Sequence, residues 1–343
     1  MKSLTKWEYS LDTETERILH TAHQVSVGFY KLNNFIVLPK SSKALGTNLV
    51  IFPDLNYKSI SRFWSKTTKI DIYTDPFTID PKLRSDFKNL LANYKPETPN
   101  YLHTKTIWEK AEKEILTTIY DLLPSKKNLL KEIKIYPTKT GTNCSFSLTA
   151  SEGHMYIYLR DDQGIHAIIE AIITSLTRND IYQKLGGVWQ ESEIITDFLV
   201  TQTKLAKVLQ KYESKEKYIP TIKGTRVKDV GNLQKLSDEY YKKLNVPNFD
   251  KPFNLNGLTP EVNNKPILNL TPKEKQVMYL LIKNSNNIIS FDQISDIIFN
   301  TDDNFSLFAL AKFIQRLREK LEKNGVSGSF IQTLRSKGYL LKN

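Results

Sequence analysis

Two groups of side chains have the types and spacing to do chemistry. The first is cationic. Lys312, Gln315, Arg316, Arg318 and Lys320 follow one another at helical spacing, and Thr333, Arg335 and Lys337 stand a short way downstream. Ammonium and guanidinium groups held on one rigid face suit phosphates, while Gln and Arg side chains can also read base edges. The second group is His166, Glu170 and Glu193. His166 and Glu170 are four apart and would share a helix face, so with His154 or Glu193 they are candidate metal ligands. The bland reading of this second group is a carboxylate buried against Arg160 or Arg178.

The cationic group requires a helix and a hairpin to hold it. Leu270-Thr271-Pro272-Lys273-Glu274 opens a helix with a capping threonine, a first-turn proline and a glutamate placed to close a capping box. Ser290 and Gln293 repeat that signature ahead of Ile294, Ile297 and Ile298. From about Phe305 to Lys323, Leu307, Leu310, Ile314, Leu317 and Leu321 recur every three or four residues and predict one apolar face, with the cations opposite. Residues 330–341 then read as a β-hairpin turning at Ser336-Lys337. Three helices and a terminal basic hairpin predict a winged helix.

Leu270-Thr271-Pro272-Lys273-Glu274, Ile314-Gln315-Arg316-Leu317-Arg318-Glu319-Lys320-Leu321, and Ile331-Gln332-Thr333-Leu334-Arg335 with Gly338-Tyr339 resemble the signatures of the OmpR/PhoB-type winged-helix DNA-binding domain, in order and suitably separated. Phe253-Asn254-Leu255 and Val262 to Ile267 resemble the small sheet that precedes the first helix in that family. The resemblance implies that the helix at about 305–323 enters the major groove and that the 330–341 hairpin is the wing. Ser336 departs from the family's usual wing glycine.

Upstream, Gly141 to Leu176 reads as strand, strand and apolar helix, and resembles the core of a zincin-type metallopeptidase. On that pattern Ile169-Glu170-Ala171-Ile172-Ile173 keeps the glutamate of His-Glu-x-x-His and replaces both histidines, while Glu193 to Asp197 resembles the third-ligand helix. A catalytic zinc needs imidazoles to hold it and to lower the pKa of its water, so the resemblance implies an inactive relic. Two more motifs are weighed as ordinary structure. Asp54, just past an apolar strand, lacks the acidic pair of a phospho-accepting site, and Gly186-Gly187 is too short for a phosphate loop.

The 343 residues carry a formal charge of +12, which favours an anionic partner. A single cysteine, Cys144, cannot close an internal disulfide. No apolar run is long enough to span a bilayer, and the N-terminal residues lack a signal-peptide core, so a cytoplasmic, prokaryotic protein with no membrane partner is expected. The expected architecture is an α+β regulatory or dimerisation domain (1–213, zincin-like and degenerate), a basic connector with a helix (214–251) and a winged helix-turn-helix domain (252–343). The expected function is sequence-specific duplex-DNA binding in transcription regulation and signal transduction, with no enzyme activity and no cofactor. RNA polymerase and a second copy of the chain are the further partners considered. The alternative is a metal-dependent hydrolase with an appended DNA-binding module.

Overall fold

A computed structural model describes residues 3–40, 48–72, 78–127, 129–149, 153–184, 189–213, 230–246, 251–299 and 306–343. In chain order the elements begin β1 (Thr5–Trp7), α1 (Leu11–Ser26), α2 (Phe29–Leu32), β2 (Ile36–Leu38), β3 (Leu49–Ile51), α3 (Phe63–Thr67), α4 (Pro81–Tyr94) and α5 (Leu102–Leu122). They continue β4 (Glu132–Thr138), β5 (Cys144–Thr149), β6 (His154–Arg160), α6 (Ile165–Asn179), α7 (Trp189–Thr201), α8 (Lys204–Tyr212) and α9 (Val230–Leu244). The last are β7 (Phe253–Asn256), β8 (Thr259–Val262), β9 (Lys265–Pro266), α10 (Pro272–Lys283), β10 (Ile289–Ser290), α11 (Phe291–Ile298), α12 (Leu307–Lys323), β11 (Ile331–Leu334) and β12 (Gly338–Leu341).

The chain divides into two compact units, the first drawing on Met1–Thr21, Phe35–Phe63 and Ile72–Leu244. Its main sheet has the order β1-β4-β6-β5, with β1, β4 and β6 parallel and β5 antiparallel to β6. Alternate residues of β4 point inward, so Ile133 and Ile135 join Ile157 of β6 beneath Trp108, Ile115 and Ile119 of α5 and Ile168 and Ile172 of α6. Helix α6 is buried on nearly every side, which is why its sequence is apolar almost throughout. A parallel pair, β2 and β3, carries α9: Ser237 Oγ accepts from Val37 N at 2.9 Å, and Tyr240 donates to Phe52 O at 2.8 Å.

Two buried arginines pin the loop after β4. Arg17 donates to Thr140 O and Thr142 O, and its guanidinium lies so close to Gly141 that an added Cβ would sit 2.2 Å from Nη2. Arg160 donates to Leu49 O and Gly141 O and pairs with Asp162. Glu14 is buried beside them, accepting from the Thr138 and Thr140 hydroxyls, and burial pushes its carboxyl above the ordinary range.

The second unit gathers Ala22–Asn34, Trp64–Asp71 and Asn245–Asn343. It comprises the three-stranded sheet β7-β8-β9, helices α10 to α12, and the sheet β10-β12-β11. Leu32 packs against its core, and Val27 O accepts from Ser327 N at 3.0 Å. His23 is buried here, with Nδ1 at 2.9 Å from Thr67 O.

Several expectations need correction. The alternation Ile70-Asp71-Ile72-Tyr73 predicts a strand, but over its described residues Asp71 makes only an isolated bridge and no strand forms. Pro76 to Arg84 reads as a turn-rich connection and Ser85 to Tyr94 as a short helix, but the helix already starts at Pro81, whose Asp80 cap accepts from Leu83 N. The apolar spacing from Glu191 to Tyr212 predicts one continuous helix, and the structure has two. Thr203 accepts from Leu205 N and donates to Leu199 O, competing with the helical ladder at the break. Residues 73, 186, 187, 305 and 214–229 lie outside the described set.

Candidate nucleic-acid interface

The interface is built on α10. Thr271 and Glu274 form the capping box that the sequence predicts, and the same Glu274 Oε2 that accepts from Thr271 N also takes Lys320 Nζ at 2.5 Å. Burial works against ionisation of Glu274, but the Lys320 ammonium and the Thr271 amide outweigh it and hold the carboxyl below its ordinary value. Lys320 is therefore tied to the helix behind it. The Ser290–Gln293 capping box starts α11 in the same way.

Ser306 caps α12 through Ala309 N. Leu310, Phe313, Ile314, Leu317 and Leu321 are buried, which fixes the rotation of the helix about its axis. Phe313, three after Leu310 and four before Leu317, fits the inward period but was missing from the predicted stripe. Leu307 was placed on that stripe and is instead 57% exposed, beside exposed Phe308. Both residues lie in the first turn, ahead of the packed face.

With the helix so oriented, Lys312, Gln315 and Arg316 face outward. Gln315 donates to Glu319 at 3.3 Å, whereas Lys312 and Arg316 have no hydrogen-bond or ion-pair partner among the described residues. Arg335 and Lys337 are exposed at the tip of the β11–β12 hairpin. Lys337 N donates to Leu334 O to close that turn, and Ser336 at its tip holds a positive φ of 58°. The left-handed conformation that a glycine would supply is thus kept by a serine, at a steric cost.

Arg318 has a different situation from its neighbours. Its Nη2 donates to Ile331 O at 2.7 Å and to the Thr333 hydroxyl at 2.9 Å, and Nε donates to Ile331 O at 3.0 Å. Burial draws the guanidinium pKa down, with Tyr339 and Glu322 opposing that shift. An added Cβ on Gly328 would come within 2.7 Å of Arg318 Cβ, so this glycine leaves room for the arginine. Arg318 follows Ile314 by four residues and precedes Leu321 by three, which puts it on the border of the apolar stripe. That spacing is the signal by which its inward turn could have been found. Of the eight residues singled out in the sequence, five face outward on α12 and the hairpin tip, while Arg318, Thr333 and Lys320 are bound into the fold.

The candidate metal ligands are not brought together. His166 Nδ1 lies 2.9 Å from Glu213 Oε2, and the same oxygen accepts from His166 N, so a buried carboxylate from the end of α8 fastens the first turn of α6. Gly164 permits this, since a Cβ there would fall 1.4 Å from Glu213 Oε1. Glu193 on α7 is pushed up to about 7 by burial, with Arg178 opposing. Among the described residues, no three His, Cys, Asp or Glu side chains gather as a metal group would. No helix among them is long and apolar enough to cross a membrane.

Comparison with known proteins bears on the same stretch. Residues 264–341 match the family described as "Transcriptional regulatory protein, C terminal". Over 89 residues the chain is 35% identical to Protein RcaC of Microchaete diplosiphon, covering 26% of this chain and 14% of that protein. The chain therefore aligns with about a seventh of the length of that relative. The match places an OmpR/PhoB-type winged helix of a transcription regulator at the C-terminal end of the second unit. It gives no support to the zincin resemblance upstream.

Proposed function

We propose, starting from this C-terminal regulatory domain, that the whole chain is a sequence-specific duplex-DNA-binding transcription regulator. The observation that carries the reading is the division of cations on α12 and the wing. Lys312 and Arg316 stand outward beside a hairpin tipped by Arg335 and Lys337, while every large apolar residue of the helix beyond its first turn faces the other way. In this reading α12 lies in the major groove, with Gln315 and Arg316 at base edges and Lys312 on a flanking phosphate. Arg335 and Lys337 reach the backbone or minor groove alongside. Arg318, Thr333 and Lys320 act indirectly, holding the hairpin and the helix in register.

Regulation would belong to the first unit, as a sensory or dimerisation domain, and RNA polymerase would be the downstream partner. Paired half-sites would call for two copies of the chain. The setting would be the cytoplasm, where the regulator meets DNA.

Fluorescence anisotropy of the full chain on duplex DNA, read across a salt series, tests the proposal. Affinity should fall with a log–log slope of about −0.9 per phosphate neutralised. Lys337→Ala should reduce that slope by roughly one contact, and Arg316→Ala should cost about 1–3 kcal/mol and relax sequence preference. Failure of the full chain to bind any duplex at low salt would overturn the reading.

A further inference from the structure

The two edges of the main sheet are treated differently. At β1 the edge is covered: Glu112 Oε1 accepts from Leu4 N and Thr5 N, both at 3.0 Å, and from the Thr5 hydroxyl at 2.7 Å. A carboxylate from α5 thus takes the outward Thr5 amide that another strand would otherwise use. At β5 nothing comparable occurs among the described residues. No described residue beyond β6 bonds to the main chain of residues 145–148, and the Cys144 carbonyl takes only the Thr142 hydroxyl.

The register shows which main-chain groups face away from β6. Arg160 N donates to Asn143 O, so the hydrogen-bonded pairs with β6 fall at 143, 145, 147 and 149. Cys144, Phe146 and Leu148 then turn their N–H and C=O groups away from the sheet. The strand itself, Cys144-Ser145-Phe146-Ser147-Leu148-Thr149, has no charge and no proline, the two devices that most often keep an edge from pairing.

We propose that β5 is a self-association edge, at which two copies of this chain join antiparallel strands across a two-fold axis through Phe146. The outward-facing groups select this register. Placing Phe146 opposite Phe146 of the second copy sets Cys144 against Leu148 in both directions and closes three hydrogen-bonded pairs. A shift of two residues either way leaves only two. An uncharged strand also meets no like charge in its own copy, although each chain carries a net charge of +12 that opposes less specific contact. The pairing serves the regulator reading by presenting two DNA-binding units, and it rests on that reading for its purpose alone.

Sedimentation equilibrium of the full chain, without DNA, reads the result directly, so this proposal and the DNA-binding reading can fail separately. The expected species is twice the 39.7 kDa chain. Phe146→Pro removes an outward N–H and leaves the ladder to β6 intact, and should weaken association by about tenfold or more. Hydrogen exchange of the unaltered chain supplies a readout that does not depend on the variant folding. Amides of Cys144, Phe146 and Leu148 should gain protection as concentration rises, while those of Ser145 and Ser147 stay protected throughout. A monomer at all concentrations overturns the proposal and leaves the edge to a strand from another protein. A dimer whose Cys144, Phe146 and Leu148 amides exchange freely overturns it as well.

Discussion

Arg318 shows how one side chain can look like a DNA ligand in the sequence and act as a brace in the fold. Its guanidinium is spent on Ile331 O and Thr333 Oγ1, so β11 is held against α12 by a charge-assisted fork. Lysine cannot reproduce that fork, because a single ammonium on a flexible stem has no planar pair of donors. Arg318→Ala should lower unfolding stability by about 2–3 kcal/mol, since hydrogen bonds to a charged donor are lost and the Ile331 carbonyl is left with less than it needs. Chemical denaturation measures this. A variant as stable as the parent, yet deficient in DNA binding, would return Arg318 to the contact surface. His166 makes the same point in the first unit, where its imidazole is engaged by Glu213.

At the scale of elements, the signals that proved legible were local ones. Both capping boxes, the hairpin β5–β6 and the wing follow from residues within a few positions of one another. What the sequence concealed was set by distant partners. Nothing near β4 announces that it lies parallel to β1 and β6, and nothing near Glu213 announces that it will cap α6. The break between α7 and α8 was local, but the threonines that cause it are also acceptable within a helix. In the interface, the outward set of α12 was readable from its period, whereas the inward turn of Arg318 needed the hairpin in place. Gly338 gives the hairpin its sharpest constraint. Its φ is 147°, and an added Cβ would stand 1.9 Å from Ile289 O on β10. Gly338→Ala should therefore cost roughly 3 kcal/mol or more and separate β12 from β10, as thermal unfolding would show. An unchanged melting temperature would mean that the strand pair yields easily.

Across the whole molecule, the two units should answer acid in opposite ways. In the first, burial raises the Glu14 and Glu193 carboxyls, Glu193 to about 7. A raised carboxyl favours the folded state most when protonated, so this contribution declines as pH climbs from about 4.5 towards 7. In the second, burial lowers His23 from 6.5 against the opposing pull of Thr67 O and Asp71, so folding there is penalised as pH drops below 6.5. Hydrogen exchange at pH 5.5 and 7.5, corrected for intrinsic rates, should show the first unit gaining protection in acid and the second losing it. Glu193→Gln should reduce the first trend, and parallel behaviour of both units would refute the assignment. The second unit is also assembled from both ends of the chain, with Val27 O joined to Ser327 N and Leu32 packed against the winged-helix core. A ribosome adding roughly 10 residues per second delivers Val27 and Leu32 about half a minute before Ser327 exists. During that interval their binding site is missing, and the early segment is a natural client for chaperones until the last strand emerges.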